Sequence, residues 1–324
     1  MTDFKTEYGN FTEIQSYNLY DDNTLKDCMC RNSNMISTKY GSLIPQYDFK
    51  EVRRLTNPSV TFTKSQKLKS ISLNSLTPIE TSVGTLNVEY LTFYENGNIE
   101  TLYPLNGQLS PYWQENQEYE LAQSTEISLP FGKIKAKIKV LYFYQTGELK
   151  GITMWPGERI EIPTPLGNQP ARLGAGFFED GTVKSFEPAE PLSLNTPIGE
   201  VIAFDANNYS YFRESKAVTF TKDGQLEAIF TSNNIISVTD SDGELTDFAP
   251  TCYEDEYSES NIYVYPMQID FEEGNITFNR VDKFKLSETK FAIHEMLIEM
   301  EKQECTEDCS TCSSTCTPGG ISLI

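Results

Sequence analysis

Phe93-Tyr94-Glu95-Asn96-Gly97-Asn98-Ile99-Glu100 recurs as Phe143-Tyr144-Gln145-Thr146-Gly147-Glu148-Leu149-Lys150 and as Phe177-Phe178-Glu179-Asp180-Gly181-Thr182-Val183-Lys184. A looser copy is Phe220-Thr221-Lys222-Asp223-Gly224-Gln225-Leu226-Glu227. A degenerate one, Phe62-Thr63-Lys64-Ser65-Gln66-Lys67-Leu68-Lys69, has Gln66 in the glycine position. Each copy reads as a β-hairpin: an aromatic strand, a polar turn whose Asn-Gly or Asp-Gly supplies positive φ, then a strand that resumes apolar alternation.

A second landmark follows each hairpin, a Thr/Pro-rich approach to glycine: Glu80-Thr81-Ser82-Val83-Gly84, Pro163-Thr164-Pro165-Leu166-Gly167 and Asn195-Thr196-Pro197-Ile198-Gly199. From first aromatic to this glycine the offsets are 84 − 62 = 22, 167 − 143 = 24 and 199 − 177 = 22, and Phe220 to Gly243 gives 23. Leu19 to Gly41 also gives 22, with Ile36-Ser37-Thr38-Lys39-Tyr40-Gly41 as the approach. Internal periodicity of this kind marks a repeat architecture.

One copy departs, because Phe93 to Gly132 spans 39 residues. Ser110 as N-cap and Pro111 at the first helical position predict an inserted helix of roughly a dozen residues there. Asp205 to Glu214 reads as a surface loop, and the acidic stretch Asp240 to Glu259 as a solvated connector. Tyr263 to Tyr265, Asn275 to Phe278 and Lys283 to Leu286 read as strands, while the spacing of Met296, Leu297 and Met300 predicts a terminal helix from His294 to about Gln303. The expected fold is all-β: tandem β-hairpin repeats forming stacked antiparallel sheets, with a short inserted helix, a C-terminal helix and a Cys-rich tail. The expected organisation is a degenerate N-terminal repeat over 1–58, a repeat body over 59–250 with its insertion at 107–126, C-terminal strands and helix over 251–303, and a flexible tail over 304–324.

The Phe-Tyr-x-x-Gly-x-Leu-Lys element resembles the variant MORN-type repeats of bacterial proteins, in which an aromatic strand, an Asn-Gly turn and a Leu-Lys strand build stacked hairpins. The match covers 93–100, 143–150 and 177–184, but the copies lie 143 − 93 = 50, 177 − 143 = 34 and 220 − 177 = 43 residues apart, unlike that family's compact period. The resemblance implies a scaffold or interaction role and no catalytic signature.

Composition narrows the partners. With 26 basic and 47 acidic residues the formal charge is −21, a field that repels phosphate backbones and anionic lipid headgroups. Nucleic acid and membrane are therefore not expected partners. No stretch reaches the roughly 18 apolar residues of a spanning helix. Met1-Thr2-Asp3-Phe4-Lys5-Thr6-Glu7-Tyr8 has no apolar run, so a cytoplasmic location is the expectation.

Nucleophile-plus-base chemistry needs a base, usually histidine, and the chain has one, His294. With 47 acids, no carboxylate pair is singled out by sequence, and no phosphate-cradling glycine loop is present. No enzyme is expected. Trp113 and Tyr112, in the polar insertion, are candidate binding residues, whereas Trp155 is expected in the core; Tyr103 and Tyr142 are further aromatics suited to a ligand groove. Cys305, Cys309, Cys312 and Cys316 place four thiols within twelve residues, a set that suits zinc or an iron-sulfur cluster. The spacing of the first three is that of radical SAM enzymes, but no strand-helix barrel surrounds it. Thr, Ser, Glu and Asp between the thiols supply no apolar shell, so an unmetallated redox-active tail is the alternative. Cys28, Cys30 and Cys252 read as packing residues or bystanders. The expected function is a non-enzymatic interaction or scaffold protein with an acidic repeat surface and a protein partner. The alternative is a metal-binding or electron-transfer accessory working through the cysteine tail.

Overall fold

The computed structural model describes residues 3–49, 52–54, 58–107, 111–207, 216–255 and 258–296, with only the backbone described at 52, 254–255 and 258–262. It is an all-β chain in which one antiparallel ladder runs in sequence order. The strands are Ile14–Leu19, Leu25–Cys30, Val60–Phe62, Leu68–Thr81, Gly84–Phe93, Ile99–Tyr103, Gly132–Phe143 and Leu149–Met154. Gly167–Phe177, Val183–Pro188, Val218–Phe220, Leu226–Thr231, Met267–Glu272, Asn275–Phe278 and Asp282–Lys285 continue it. The 107–126 insertion does not divide the ladder, since Thr101 pairs with Tyr142 and Leu102 with Leu141 across it.

The quoted repeats account for this regularity. Leu19, Phe62, Phe93, Phe143, Phe177 and Phe220 pair with Leu25, Leu68, Ile99, Leu149, Val183 and Leu226, and after each pair the register slips by one residue. The skipped residues, Lys26, Lys69, Glu100, Lys150, Lys184 and Glu227, are charged, as a bulge position turned away from the core allows. Between each pair sits one five-residue turn. Tyr94 N–H donates to the Asn98 carbonyl and Gly97 N–H to the Tyr94 carbonyl, and the same two bonds recur at 20–24, 63–67, 144–148, 178–182, 221–225 and 240–244. The fourth residue has positive φ every time: 101° at Gly147, 81° at Gly181, 63° at Asn23 and 61° at Gln66. Gln66 stands in a conformation that favours glycine, and its side-chain amide donates to the Leu25 carbonyl at 2.9 Å, which explains how the degenerate copy keeps the shape.

Alternation about this register separates the two faces. Cys28, Val60, Ile71, Leu91, Leu102, Leu141, Ile152, Ala175, Phe186, Val218, Ile229, Ile269 and Phe278 pair neighbour to neighbour in one row across the sheet. None is more than 1% exposed. The residues beside them, such as Asp27, Thr61, Ser70, Thr92, Thr101 and Tyr142, point to the other face and are polar or amphipathic. Burying each large apolar side chain of that row contributes about 1.5–3 kcal/mol before chain entropy is subtracted.

The Thr/Pro-Gly landmarks are tight hairpins. Thr38, Thr81, Thr164 and Thr196 each donate a hydroxyl to the carbonyl of the glycine three residues on, at 2.7–3.0 Å. Each accepts the N–H of the residue between at 3.1–3.3 Å. Thr6 and Gly9 form a further copy, not singled out from sequence. The hairpins ending at Gly9, Gly41 and Gly84, and the related one at Gly132, skip the next aromatic hairpin and dock on the one after. Tyr8 lies 6.1 Å from the Phe62 ring, Tyr40 6.2 Å from Phe93 and Phe131 6.2 Å from Phe177, while Ser82 Oγ donates to the Gly147 carbonyl at 2.9 Å.

Four expectations need correction. The inserted helix is Glu115–Leu121, seven residues capped by Gln114, because Pro111 and Tyr112 form a turn and Ser124 onward is recruited as the strand Ser124–Leu129 against Gly132–Phe143. The acidic connector contains the strands Leu245–Phe248 and Thr251–Asp255 and the start of Ser258–Tyr265, so Asp247, Glu254, Asp255 and Glu259 occupy strand positions. The first residues of the expected terminal helix are strand: Lys290–Glu295 pairs with Asn234–Thr239, His294 opposite Ile235, with Phe291 and Ile293 half-buried at period two. Residues 297–303 lie outside the described residues. Asp205, expected on a surface loop, is wholly buried, and 208–215 of that loop lie outside the described residues.

Candidate functional site

The four tail cysteines, Cys305, Cys309, Cys312 and Cys316, lie outside the described residues. Among the described residues no three His, Cys, Asp or Glu side chains are grouped to hold a metal. Tyr112 is 80% exposed at the tip of the insertion. Trp113 beside it is half-buried, its indole N–H donating to Glu118 Oε2 at 2.8 Å. Trp155 is in the core, edge-on to Tyr119 at 5.9 Å, so it packs the inserted helix against the sheet. Tyr103 meets Tyr90 edge-on at 5.4 Å on the face opposite the core row, near Tyr142. Burial, and then the neighbouring Tyr142, push the Tyr103 hydroxyl above its ordinary value.

What holds Tyr112 and Trp113 in place is a buried ion cluster that sequence reasoning missed. Arg53 Nη1 donates to Glu89 Oε2 at 3.0 Å and to Glu118 Oε1 at 2.9 Å, and Arg53 Nη2 to Glu89 Oε1 at 2.5 Å. Arg54 lies 3.8 Å from Glu89 and donates to the Leu73 carbonyl at 2.6 Å. Backbone N–H groups of Asn106 and Gly107 complete the carboxylates, at 2.9 and 2.6 Å. All four charged residues are buried. Burial opposes the charge on Arg53, but Glu89 and Glu118 outweigh it and hold its pKa above the ordinary value. The two arginines match the two glutamates, the condition under which such a cluster can be kept from water. Nothing in 47 acids marks Glu89 or Glu118 from sequence; the one local cue is the Arg53-Arg54 doublet.

A second cluster roots the loop after Asp205. Glu187, wholly buried, accepts the N–H groups of Asp205 and Ala217, both at 3.1 Å, and faces Arg172 at 3.7 Å. Arg172 also donates to the Asp205 carbonyl at 2.6 Å and lies over the Phe204 ring at 4.4 Å. The carboxylates of Glu89, Glu118 and Glu187 are spent on arginines, backbone donors and, at Glu118, the Trp113 indole. Cys28 and Cys30 are wholly buried on the core side of their strand, consistent with packing. The Cys28 thiol is pushed up by its contact with Cys30 and by burial, whereas Cys30 is held down by Cys28, with burial opposing and Ser59 and Asn34 assisting. His294 is exposed on its strand.

The exposed feature that the repeats build is a column of turns. Tyr20, Tyr94 and Tyr144 each donate a hydroxyl to the carbonyl of the next repeat's aromatic residue, Phe62, Phe143 and Phe177, at 2.8, 2.9 and 2.9 Å. Side chains continue the column: Ser65 to Glu95 at 3.0 Å, Asn98 to the Gln145 carbonyl at 2.7 Å, Thr146 to Glu179 at 3.2 Å and Lys222 to Asp180 at 3.0 Å. Asp180 is lowered to about 2 by the Thr182 hydroxyl first, then by the Thr182 N–H and Lys222. Asp22 is lowered likewise by Thr24. These acids stay ionised through the physiological range.

Comparison with protein-family models, curated proteins and solved structures finds no match. No helix among the described residues is long and apolar enough to cross a membrane.

Proposed function

We propose that the chain is a non-enzymatic scaffold that engages a protein partner through its acidic column of turns, with Tyr112 on the 104–123 insertion as a further aromatic contact. The observation that carries this is the recurrence of one turn geometry, side chain to side chain, along a continuous ladder. Such a surface offers evenly spaced polar positions over a long span, as binding faces of repeat proteins do. The resemblance to MORN-type hairpins supports the same role. The net charge of −21 favours a basic protein surface over nucleic acid or anionic lipid. Tyr112, large and exposed, sits on an insertion pinned by the Arg53 cluster, so it can bury area on a partner at little ordering cost.

The test is capture of native-host partners by wild type beside Tyr112→Ala and Glu95→Lys, with bound proteins identified. One partner retained by wild type and lost by both variants supports the reading; partners indifferent to both variants sink it.

A second reading rests on the four thiols in twelve residues: the tail binds zinc or an iron-sulfur cluster and the repeats are its platform. Metal analysis of anaerobically isolated protein beside Cys309→Ser/Cys312→Ser decides it. Stoichiometric metal in wild type alone supports it; equal trace metal in both ends it.

A further inference from the structure

Where the column of turns meets the threonine hairpins, two cavities of about 300 and 560 Å³ share Pro130, Asp180 and Gly181 and so form one groove, from Ser82 at one end to Gly224 at the other. Both volumes fall in the range of about 300–1,000 Å³ usual for ligand clefts. Its floor is apolar: Val83, Leu149, Phe131, Phe178, Pro163 and Pro165. Its rim is acidic. Lys222 pairs with Asp180 at 3.0 Å, and Lys184 and Lys222 lie 5.8 and 5.9 Å from the Phe178 ring, so the acids Glu148, Glu179, Asp180 and Asp223 outnumber these two cations along the groove.

The wide part of the groove coincides with an irregularity in the repeat. Tyr94 and Tyr144 cross to the next repeat through their hydroxyls, but the equivalent residue here is Phe178, which has no hydroxyl to give the Phe220 carbonyl. Its half-buried ring forms a wall of the larger cavity. Rigid proline and aromatic surfaces recognise apolar side chains at low entropic cost, and the ring of acids above them selects cations.

We propose that this groove binds an extended basic peptide segment of a partner protein, which seats an apolar side chain against Phe178 and Pro165 and places its cations along Glu148, Glu179 and Asp223. This rests on the scaffold reading and adds the partner's chemistry to it.

The probe is a fluorescein-labelled decapeptide that alternates lysine with leucine and phenylalanine, titrated into the full chain by anisotropy. One companion peptide has glutamate for every lysine; another has serine for every leucine and phenylalanine. Wild type should bind the first saturably, and both companions about tenfold or more weaker. Glu148→Lys/Glu179→Lys should weaken binding about tenfold, by a margin that narrows as salt rises. Glu273→Lys/Asp282→Lys, the same charge change on exposed residues outside both the groove and the column of turns, should leave affinity within about twofold. Phe178→Ala should weaken binding while keeping its salt dependence. If that variant melts early, the exposed charge pairs decide alone. Equal losses from both charge pairs, or equal affinity for the serine peptide, would reduce binding to bulk charge and overturn the proposal. No binding, with partner capture still sensitive to Tyr112→Ala and Glu95→Lys, overturns the groove and leaves the scaffold reading standing. Loss of both results overturns both.

Discussion

Replacing Arg53 by methionine keeps most of the side-chain volume and removes one charge from a cluster in which two arginines balance two glutamates. Three hydrogen bonds disappear, two to Glu89 and one to Glu118. Charge-assisted bonds contribute about 1.5–3 kcal/mol each, but they are not additive, and the N–H groups of Asn106 and Gly107 and the indole of Trp113 still serve the carboxylates. The governing cost is an uncompensated buried charge, about 3–5 kcal/mol. Urea denaturation followed by fluorescence reads this locally if Trp155 is changed to Phe, leaving Trp113, whose indole bonds to Glu118, as the reporter. The variant should lose Trp113 signal at clearly lower urea. Adding Glu118→Gln restores charge balance between Arg54 and Glu89 and should recover a large part of the loss, although a hydrogen-bonding group has been weakened. A cost under about 1 kcal/mol for Arg53→Met, or no recovery in the double variant, would refute the account of the cluster as a charge-balanced peg.

Tyr144→Phe removes a single inter-repeat bond to Phe177 and should cost about 1 kcal/mol in urea unfolding, whereas Phe178→Tyr, which supplies the absent hydroxyl opposite Phe220, should not destabilise the chain. At Gly147 an added Cβ meets nothing within 4 Å, so Gly147→Ala should cost only the left-handed strain of about 1–2 kcal/mol. Gly181→Ala should cost more, because its Cβ would fall 2.3 Å from Pro130 Cγ; equal losses in denaturation midpoint would count against the docking of Pro130. Asp180 should titrate near 2 by carboxyl-carbon NMR, and Lys222→Met should raise that value. Since its folded pKa lies below the ordinary 3.8, the local stabilisation is complete above about pH 4 and is lost as pH falls toward 2. Titration at the ordinary value would remove the Thr182 and Lys222 contacts from the account.

The repeating part of this fold was legible because its signal is local. An aromatic, a polar turn and a glycine four residues after the aromatic specify a hairpin whatever surrounds it, and Phe93, Phe143, Phe177 and Phe220 occupy matching positions. The errors fell where tertiary pairing outweighs local preference. The expected helix starts at His294, yet Lys290–Glu295 completes a sheet with Asn234–Thr239. Asp240 to Glu259 is too acidic to read as strand, but Leu245–Phe248 pairs as an exposed edge with Asn234–Thr239, whose Ile236 and Val238 are the buried residues, and Asp247 stays in solvent. The site was less legible still. Glu89, Glu118 and Glu187 are chemically indistinguishable in sequence from acids on the surface, and only the fold brings Arg53, Arg54 and Arg172 to them.

The unequal spacing of the copies follows from where the repeat keeps its contacts. Aromatic hairpins touch the next through the ladder and through turn side chains, and the hairpins ending at Gly9, Gly41, Gly84 and Gly132 reach the aromatic hairpin after that. Neither contact depends on how much chain lies between the ladder strand and the threonine hairpin, so that junction is where length can vary. Residues 104–123, with the inserted helix, and the loop after Asp205 both fall there. Such a junction exposes backbone polar groups at its root, and these need partners inside the protein. Glu89 and Glu118 accept the Asn106 and Gly107 N–H groups at one insertion, and Glu187 accepts the Asp205 and Ala217 N–H groups at the other. The buried acids therefore mark the points at which a regular hairpin array admits irregular chain.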